Sequence, residues 1–398
     1  MSSINNVLDR REFLTAIGGG VVSLSLGKVA FGQTTALAGS GDLTLYVGTY
    51  TSGTSTSKGI YSYRFNKETG ELVFNELTSG VADPSFVVVD KAHKYLYSVN
   101  ETVEYEGKKS GAISSFAIDR KAGTLTLLNK QPSLGGAPCH LTMSADSRFL
   151  LVANYVGGNV AVFPVGKDGK LGDSVDAEQH IGTGPNTDRQ TSAHAHSINL
   201  DRNDRFAVAC DLGADKLFIY AFDKTTGKLT PNAAQPFFST RPGAGPRHFV
   251  FHPNGKTAFV INELSSSIST LAYNEKLGTL TELQTISSLP DGWSGSNSCA
   301  DIHISPNGRF VYGSNRGHDS IVCYRFDKRT GKLELVGHVP TQGKTPRNFA
   351  IDPSGKFLLA ANQRSDSIVI FRIEQATGKL FPTGKSVSVP APVCLRFA

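Results

Sequence analysis

A chain of 398 residues would ordinarily suggest two or three domains. Its formal net charge is +6, or +5 for residues 39–398 alone, because residues 1–38 carry Arg10, Arg11 and Lys28 against Asp9 and Glu12. Mild basicity without Lys/Arg clusters or interleaved aromatics excludes a nucleic-acid partner, and Cys139, Cys210, Cys299, Cys323 and Cys394 lack the spacing of a disulfide framework or zinc knuckle and read as small buried strand residues.

At the N-terminus, Asp9-Arg10-Arg11-Glu12-Phe13-Leu14 precedes a moderately apolar, glycine-bearing stretch from Thr15 to Phe31 that is too short to span a bilayer. The order resembles a bacterial twin-arginine export signal. Residues 1–38 are therefore predicted to be such a signal, with cleavage after Ala36-Leu37-Ala38 or, alternatively, after Gly32. This implies the twin-arginine export machinery as a partner, a periplasmic or otherwise exported location, and no stable membrane insertion. An amphipathic N-terminal helix opening on a surface Arg pair is the plainer alternative.

From Leu43-Thr44-Leu45-Tyr46-Val47 onward the chain is a tandem array. Residues following a turn proline or its equivalent, namely Ser85, Cys139, His196, Arg247, Ala300, Arg347 and Val393, recur at intervals of 54, 57, 51, 53, 47 and 46 residues. Turns such as Pro253-Asn254-Gly255, Pro306-Asn307-Gly308 and Pro353-Ser354-Gly355 then connect two strands. Sixteen residues past the anchors stand Glu101, Tyr155, Leu212, Glu263, Arg316 and Gln363. Third and fourth strands flank Thr69-Gly70, Ala122-Gly123, Thr226-Gly227, Thr330-Gly331 and Thr377-Gly378. Four short strands per repeat of this length predict an all-β, seven-bladed β-propeller. Val393 lies too near the end to build a blade, so the N-terminal strands are expected to share its blade and close the ring, making residues 39–398 one domain.

In a propeller, equivalent positions of different blades meet at one mouth of the central channel. Where Ser85, Ala300 and Val393 are small or apolar, other blades place His196, Arg247 and Arg347, and the paired positions place Glu101, Glu263 and Arg316. Charges buried there must pair with one another or with a ligand. Arg247 and Glu263, in one blade, are also candidates for a plain ion pair. His194 and His196 share one side of an alternating strand, which admits a metal, although His-x-His without further ligands is a weak signal. Cys139 beside His140 admits a nucleophile but lacks an orienting third group. His248, His252 and His303 read as structural histidines, and Asn100, Asn154, Asn262, Asn315 and Asn362, repeated in five blades, as backbone hydrogen-bonding groups.

The segments Gly243-Ala244-Gly245-Pro246-Arg247-His248-Phe249, Val260-Ile261-Asn262-Glu263-Leu264 and Ala300-Asp301-Ile302-His303 carry a resemblance. They resemble the propeller-type 6-phosphogluconolactonase family, which includes the fungal carboxy-muconate lactonizing enzyme, over about Leu43 to Phe397. The resemblance implies metal-independent hydrolysis of a sugar lactone ester without a cofactor. It implies one His, two Arg and one Glu as catalytic: Arg247 and Glu263 match its motifs, the His maps to His196, and the second Arg is taken as Arg316 in preference to Arg347. Arg347, His194, Tyr155 and Gln363 are expected to bind the substrate. Chemically, Glu263 or His196 is the general base, Arg247 stabilises the oxyanion, and Arg316 with Arg347 clamps a phosphate or carboxylate. Export sets the substrate apart from cytosolic phosphogluconolactone, and residues 183–191 lengthen the turn before His194. The alternatives are a muconate-type lactonizing activity, or a non-catalytic exported propeller that binds a small anion or a protein. An acid-release assay on several lactones separates them.

Overall fold

The computed structural model describes residues 42–398, and the predicted export segment 1–38 lies outside them. Seven antiparallel sheets follow one another around an axis. In blade 1 the last strand of the chain, Pro392–Phe397, is innermost, followed outward by Asp42–Thr49, Gly59–Asn66 and Leu72–Ser79. Blades 2 to 7 begin at the axis with Val87–Val89, Pro138–Met143, Ala195–Leu200, Pro246–Phe251, Ser298–Ile304 and Pro346–Ile351, and their further strands run outward in chain order. Neighbouring inner strands contact one another all the way round. The outer edge of blade 4 departs from the expected four strands, since Leu229–Pro231 and Phe237–Ser239 both pair with Lys216–Phe222.

The ring closes where expected. Leu45, Tyr46 and Val47 face Phe397, Arg396 and Leu395 across the ladder, and Thr44 and Ala398 exchange backbone hydrogen bonds of 3.2 and 2.8 Å. Alternating strand residues bury apolar side chains between adjacent blades. One such layer joins Leu45, Val47 and Phe65 of blade 1 to Phe357, Leu359 and Ile368 of blade 7. The repeated glycine before the outer strand has two physical causes. Gly70, Gly227 and Gly378 have φ of 70°, 78° and 78°, and a Cβ at each would come within 2.7, 2.5 and 2.4 Å of Phe357, Phe149 and Phe310 of the preceding blade. A side chain there would strain the backbone and displace the aromatic ring. Tyr46, Tyr97 and Tyr312 add hydroxyl bonds of 3.4, 3.0 and 2.9 Å to Gly123 O, Gly169 O and Gly378 O of the next blade.

Six of the seven anchor residues share a local irregularity that the sequence did not announce. Register shifts skip Cys139, His196, Arg247, Arg347 and Val393, and in blade 6 the pair Ala300 and Asp301. Each is the extra residue of a β-bulge, which releases it from the ladder and re-aims its side chain. Four of the five repeated asparagines donate to backbone carbonyls as expected: Asn100 to Ala82 O, Asn154 to Ser133 O, Asn315 to Ser288 O and Asn362 to Thr341 O. Asn262 instead donates to the hydroxyls of Ser267 and Ser269.

Removing residues 391–398 deletes the inner strand of blade 1 and leaves Asp42–Thr49 as an exposed edge. The expected outcome is aggregated protein; a soluble truncation with one cooperative melting transition would show that the ring does not depend on this strand.

Candidate active site

At one mouth of the channel each blade contributes an anchor and a paired residue through the same backbone geometry. The paired N–H donates to the carbonyl two residues before the anchor: Glu101 to Asp83 at 3.0 Å, Tyr155 to Ala137 at 2.8 Å, Leu212 to His194 at 2.9 Å, Glu263 to Gly245 at 2.7 Å and Gln363 to Thr345 at 2.9 Å. Tyr50 donates to Ala391 O at 3.2 Å and is therefore the paired residue of blade 1. Counting forward from Val393 runs off the chain, so the sixteen-residue spacing misses Tyr50; the Thr49-Tyr50 step after the first strand is its only sequence signal.

Glu263 is the centre of one cluster. Arg189 donates a hydrogen bond of 2.9 Å to its Oε1, while Arg247 Nε and Arg316 Nη2 each lie 2.9 Å from Oε2 as ion contacts off the hydrogen-bond direction. Arg316 also donates to Cys299 O at 2.7 Å, and Arg247 Nη1 to Ala300 O. Burial alone would raise the carboxyl pKa, but Arg316, Arg247 and Arg189 outweigh it and pull Glu263 down to about 2. Burial, with Arg316 and Arg347 nearby, lowers Arg247 to about 10, so it stays cationic at neutral pH.

Arg189 was not foreseen. It sits in the extended turn at 183–191, which Gln190 pins from inside: its Nε2 donates to Leu212 O at 2.8 Å and its Oε1 accepts from Asn186 N at 3.1 Å. That anchorage carries Arg189 to Glu263 and to the Tyr155 hydroxyl at 3.0 Å. An insertion bearing Asn, Asp, Arg and Gln before a histidine-rich strand was visible, but not which of its residues would face the axis.

A second cluster spans blades 7, 1 and 2. The Tyr50 hydroxyl lies 3.0 Å from both Glu101 oxygens, and Ser85 Oγ donates to Oε2. The Arg347 guanidinium lies 5.3 Å from the Tyr50 ring centroid and, among the described residues, makes no side-chain hydrogen bond or ion pair. Arg316 and Arg347 are thus separated, one on Glu263 and one over Tyr50.

The histidines divide in the same way. His194 stacks on Tyr155 at 4.5 Å and 10° and its Nδ1 sits 2.9 Å from Tyr155 O, whereas His196 meets the same ring edge-on. Among the described residues no group of three His, Cys, Asp or Glu side chains is arranged to hold a metal. Burial, then Arg247, holds His196 well below its ordinary pKa, so it is a neutral imidazole. Cys139 lies 3.7 Å from His196 Nδ1, but burial pushes its thiol strongly up, which makes it a poor nucleophile. Gln363 stands at the mouth, placed by its backbone.

A buried chain of polar groups links this mouth to the opposite one. Arg247 Nη1 lies 3.2 Å from His248 Nε2; His248 Nδ1 lies 2.8 Å from Asp301 Oδ1; Asp301 Oδ2 takes His303 Nε2 at 2.9 Å and the Asn348 amide. Burial lowers His248 to about 4, so it is neutral, with Nδ1–H toward Asp301 and Nε2 accepting from Arg247. At the far mouth these groups line a cavity of about 340 Å³ with Phe86, His140 and Arg396, where Asp301 already has its partners. At the near mouth a cavity of about 740 Å³ is lined by Arg189, Arg316, Lys344 and Arg364 against the single carboxylate of Asp319, an environment suited to an anion.

The sequence signature described as lactonase, 7-bladed beta-propeller, matches residues 44–397. The chain is 39% identical over 352 residues to a 6-phosphogluconolactonase of Bacillus subtilis (strain 168), covering 88% of this chain and 97% of that protein. It is 39% identical over 310 residues to a 6-phosphogluconolactonase of Formosa agariphila, covering 77% and 86%. The solved structure of a periplasmic gluconolactonase from Pseudomonas aeruginosa superposes with a TM-score of 0.83 at 34% identity, covering 89% of this chain and 99% of that one. The seven closed blades, the Gly-Pro-Arg-His and Asn-Glu-Leu segments and these relatives agree, and the chain belongs to the lactonase family of seven-bladed β-propellers.

Proposed function

We propose that the protein hydrolyses the ring ester of a sugar lactone, of the 6-phosphogluconolactone or gluconolactone kind, at the arginine-lined mouth, without a metal or cofactor. The observation that carries this reading is Arg247: a buried cation held by Glu263 and His248, near the neutral imidazole of His196. Ester opening needs a positive donor where charge develops on the carbonyl oxygen and a group that takes the proton of the attacking water. Arg247 supplies the first. Of the two candidate bases, Glu263 is committed to three arginines, so the neutral imidazole of His196 takes the proton. Glu263 then holds Arg247 and Arg316 in place. Tyr155 and His194 form an aromatic wall for the sugar ring, Gln363 offers an amide at the rim, and Arg316 and Arg347 attract an anionic substituent. The names of the relatives favour hydrolysis over lactone formation.

Residues 1–38 are proposed as a twin-arginine signal that delivers the protein to the periplasm. The paired Arg10-Arg11 and the Ala36-Leu37-Ala38 site support this, as does the periplasmic designation of the Pseudomonas aeruginosa structure.

Arg247→Ala is expected to lower kcat/KM by about 10²-fold or more on any lactone turned over, as for a lost oxyanion donor. Arg347→Ala should chiefly raise KM for phosphorylated lactones and spare neutral ones. Steady-state acid release, corrected for spontaneous opening, measures both; full turnover by the Arg247 variant would refute its role.

Glu263 has a folded pKa of about 2 against an ordinary 4.5. Its stabilising contribution is therefore complete above pH 4.5 and is lost as pH falls toward 2. Glu263→Gln should melt earlier at neutral pH, and the difference in Tm from the unmodified protein should shrink on acidification across that window. A constant difference would mean that the carboxylate charge is not what stabilises the cluster.

Changing Arg10 and Arg11 to Lys is expected to leave unprocessed precursor in the cytoplasm, read by fractionation and immunoblot. Mature protein in the periplasm at normal yield would refute the export assignment.

A further inference from the structure

Glu101 and Glu263 occupy the same position of blades 2 and 5, yet their surroundings are opposite. Three arginines hold Glu263, whereas no cation lies within ion-pair distance of Glu101 among the described residues, and its hydrogen bonds come from the neutral hydroxyls of Tyr50 and Ser85. Glu101 is half-buried and faces the channel, while Glu263 is buried. We propose that Glu101 is a further catalytic residue, the general acid that gives its proton to the ring oxygen as the lactone opens, with Tyr50 and Ser85 as its positioning residues. The inference rests on the lactonase reading and adds the half of the reaction for which neither His196 nor Arg247 provides.

The groups facing Glu101 are Tyr50 from blade 1, Asp83 and Ser85 on its own blade's entry segment, Cys139 from blade 3, Arg247 from blade 5 and Arg347 from blade 7. The Asp83 carboxylate is turned away, accepting from Thr51 N and Ser52 N at 2.7 and 2.9 Å. Burial raises the Glu101 pKa and prevails over Arg347, Ser85, Tyr50 and Arg247, all of which lower it. A carboxyl biased toward its protonated form and a histidine biased toward its neutral form are suited to divide the two transfers between them.

In the step itself, the water oxygen bonds to the carbonyl carbon as its proton passes to His196, and Arg247 faces the resulting oxyanion. The tetrahedral carbon then breaks its bond to the ring oxygen, which takes the proton of Glu101. His196 returns its proton to solvent, Glu101 regains one, and ionisation of the product acid releases one net proton per turnover. The ring oxygen would otherwise depart as an unprotonated alkoxide, which is a poor leaving group; general acid catalysis of this kind contributes roughly 10²–10⁴-fold.

Because the acid must be protonated, kcat should fall as pH rises through the pKa of Glu101. Glu101→Gln should lower kcat about 10²-fold with KM within about twofold, and should abolish this alkaline limb. Tyr50→Phe removes a hydrogen bond that favours the ionised carboxyl and should move the limb to higher pH; this variant serves if Glu101→Gln does not fold. Infrared difference spectra between acidic and alkaline pH should show a protonated carboxyl band that is absent from Glu101→Gln. Retained kcat, an alkaline limb unaltered in both variants, or a band that persists without Glu101 would each overturn the proposal. If the unmodified protein opens no lactone, the lactonase reading fails and the acid role falls with it, whereas the infrared band still reports separately whether Glu101 holds a proton.

Discussion

The backbone ladder between the last strand, Pro392–Phe397, and Asp42–Thr49 is the interaction on which the rest of the molecule depends. Each blade buries one face against the next, so an open row of seven would leave two apolar faces and two strand edges bare. The ladder removes both at once. It also brings Arg347 of blade 7 over the ring of Tyr50 in blade 1, whose hydroxyl meets Glu101 of blade 2. A device that stabilises the fold thus also assembles one half of the chemical apparatus.

The bulges connect fold to chemistry. A residue inside a regular inner strand alternates between the two faces of its sheet, which are packed against adjacent blades. Releasing one residue from the ladder at the same level of successive blades frees it to face the axis, and there the chain places Cys139, His196, Arg247 and Arg347. Their backbones remain rigid, since the strands on either side of the bulge stay paired. Cationic and neutral donors are therefore held in place before a substrate arrives, which is the condition for electrostatic stabilisation of a developing oxyanion.

Charge burial at this mouth is balanced by pairing. Leaving Arg247 or Glu263 alone in the channel would cost several kcal/mol; Glu263 offsets three guanidinium groups and leaves the mouth with an excess of positive charge. On the far side of Arg247, Asp301 fixes the tautomer of His248, so that the imidazole presents an acceptor and not a competing N–H. The environments of Glu101 and Glu263 then diverge because one receives hydroxyls and the other guanidinium groups, although the repeat gives them equivalent backbones.

The tandem spacing determined the seven blades and the shared terminal blade, because strand period, turn chemistry and repeat length are local properties that survive in one dimension. It also marked His196, Arg247, Glu263, Arg316 and Arg347 as departures from small or apolar positions, since a repeat makes its exceptions visible. It named Glu101 as a channel charge but gave it no role, and weighed Glu263 as a base or as the partner of Arg247 without Arg189 and Arg316. Those outcomes depend on which side chains meet across blades: Arg189 reaches Glu263 from an extended turn, Tyr50 reaches Glu101 from the neighbouring blade, and Asp301 reaches Arg247 through His248. Ionisation of a buried carboxyl depends on neighbours up to hundreds of residues away in sequence, so the tertiary structure alone decided which carboxylate is clamped and which is left able to carry a proton.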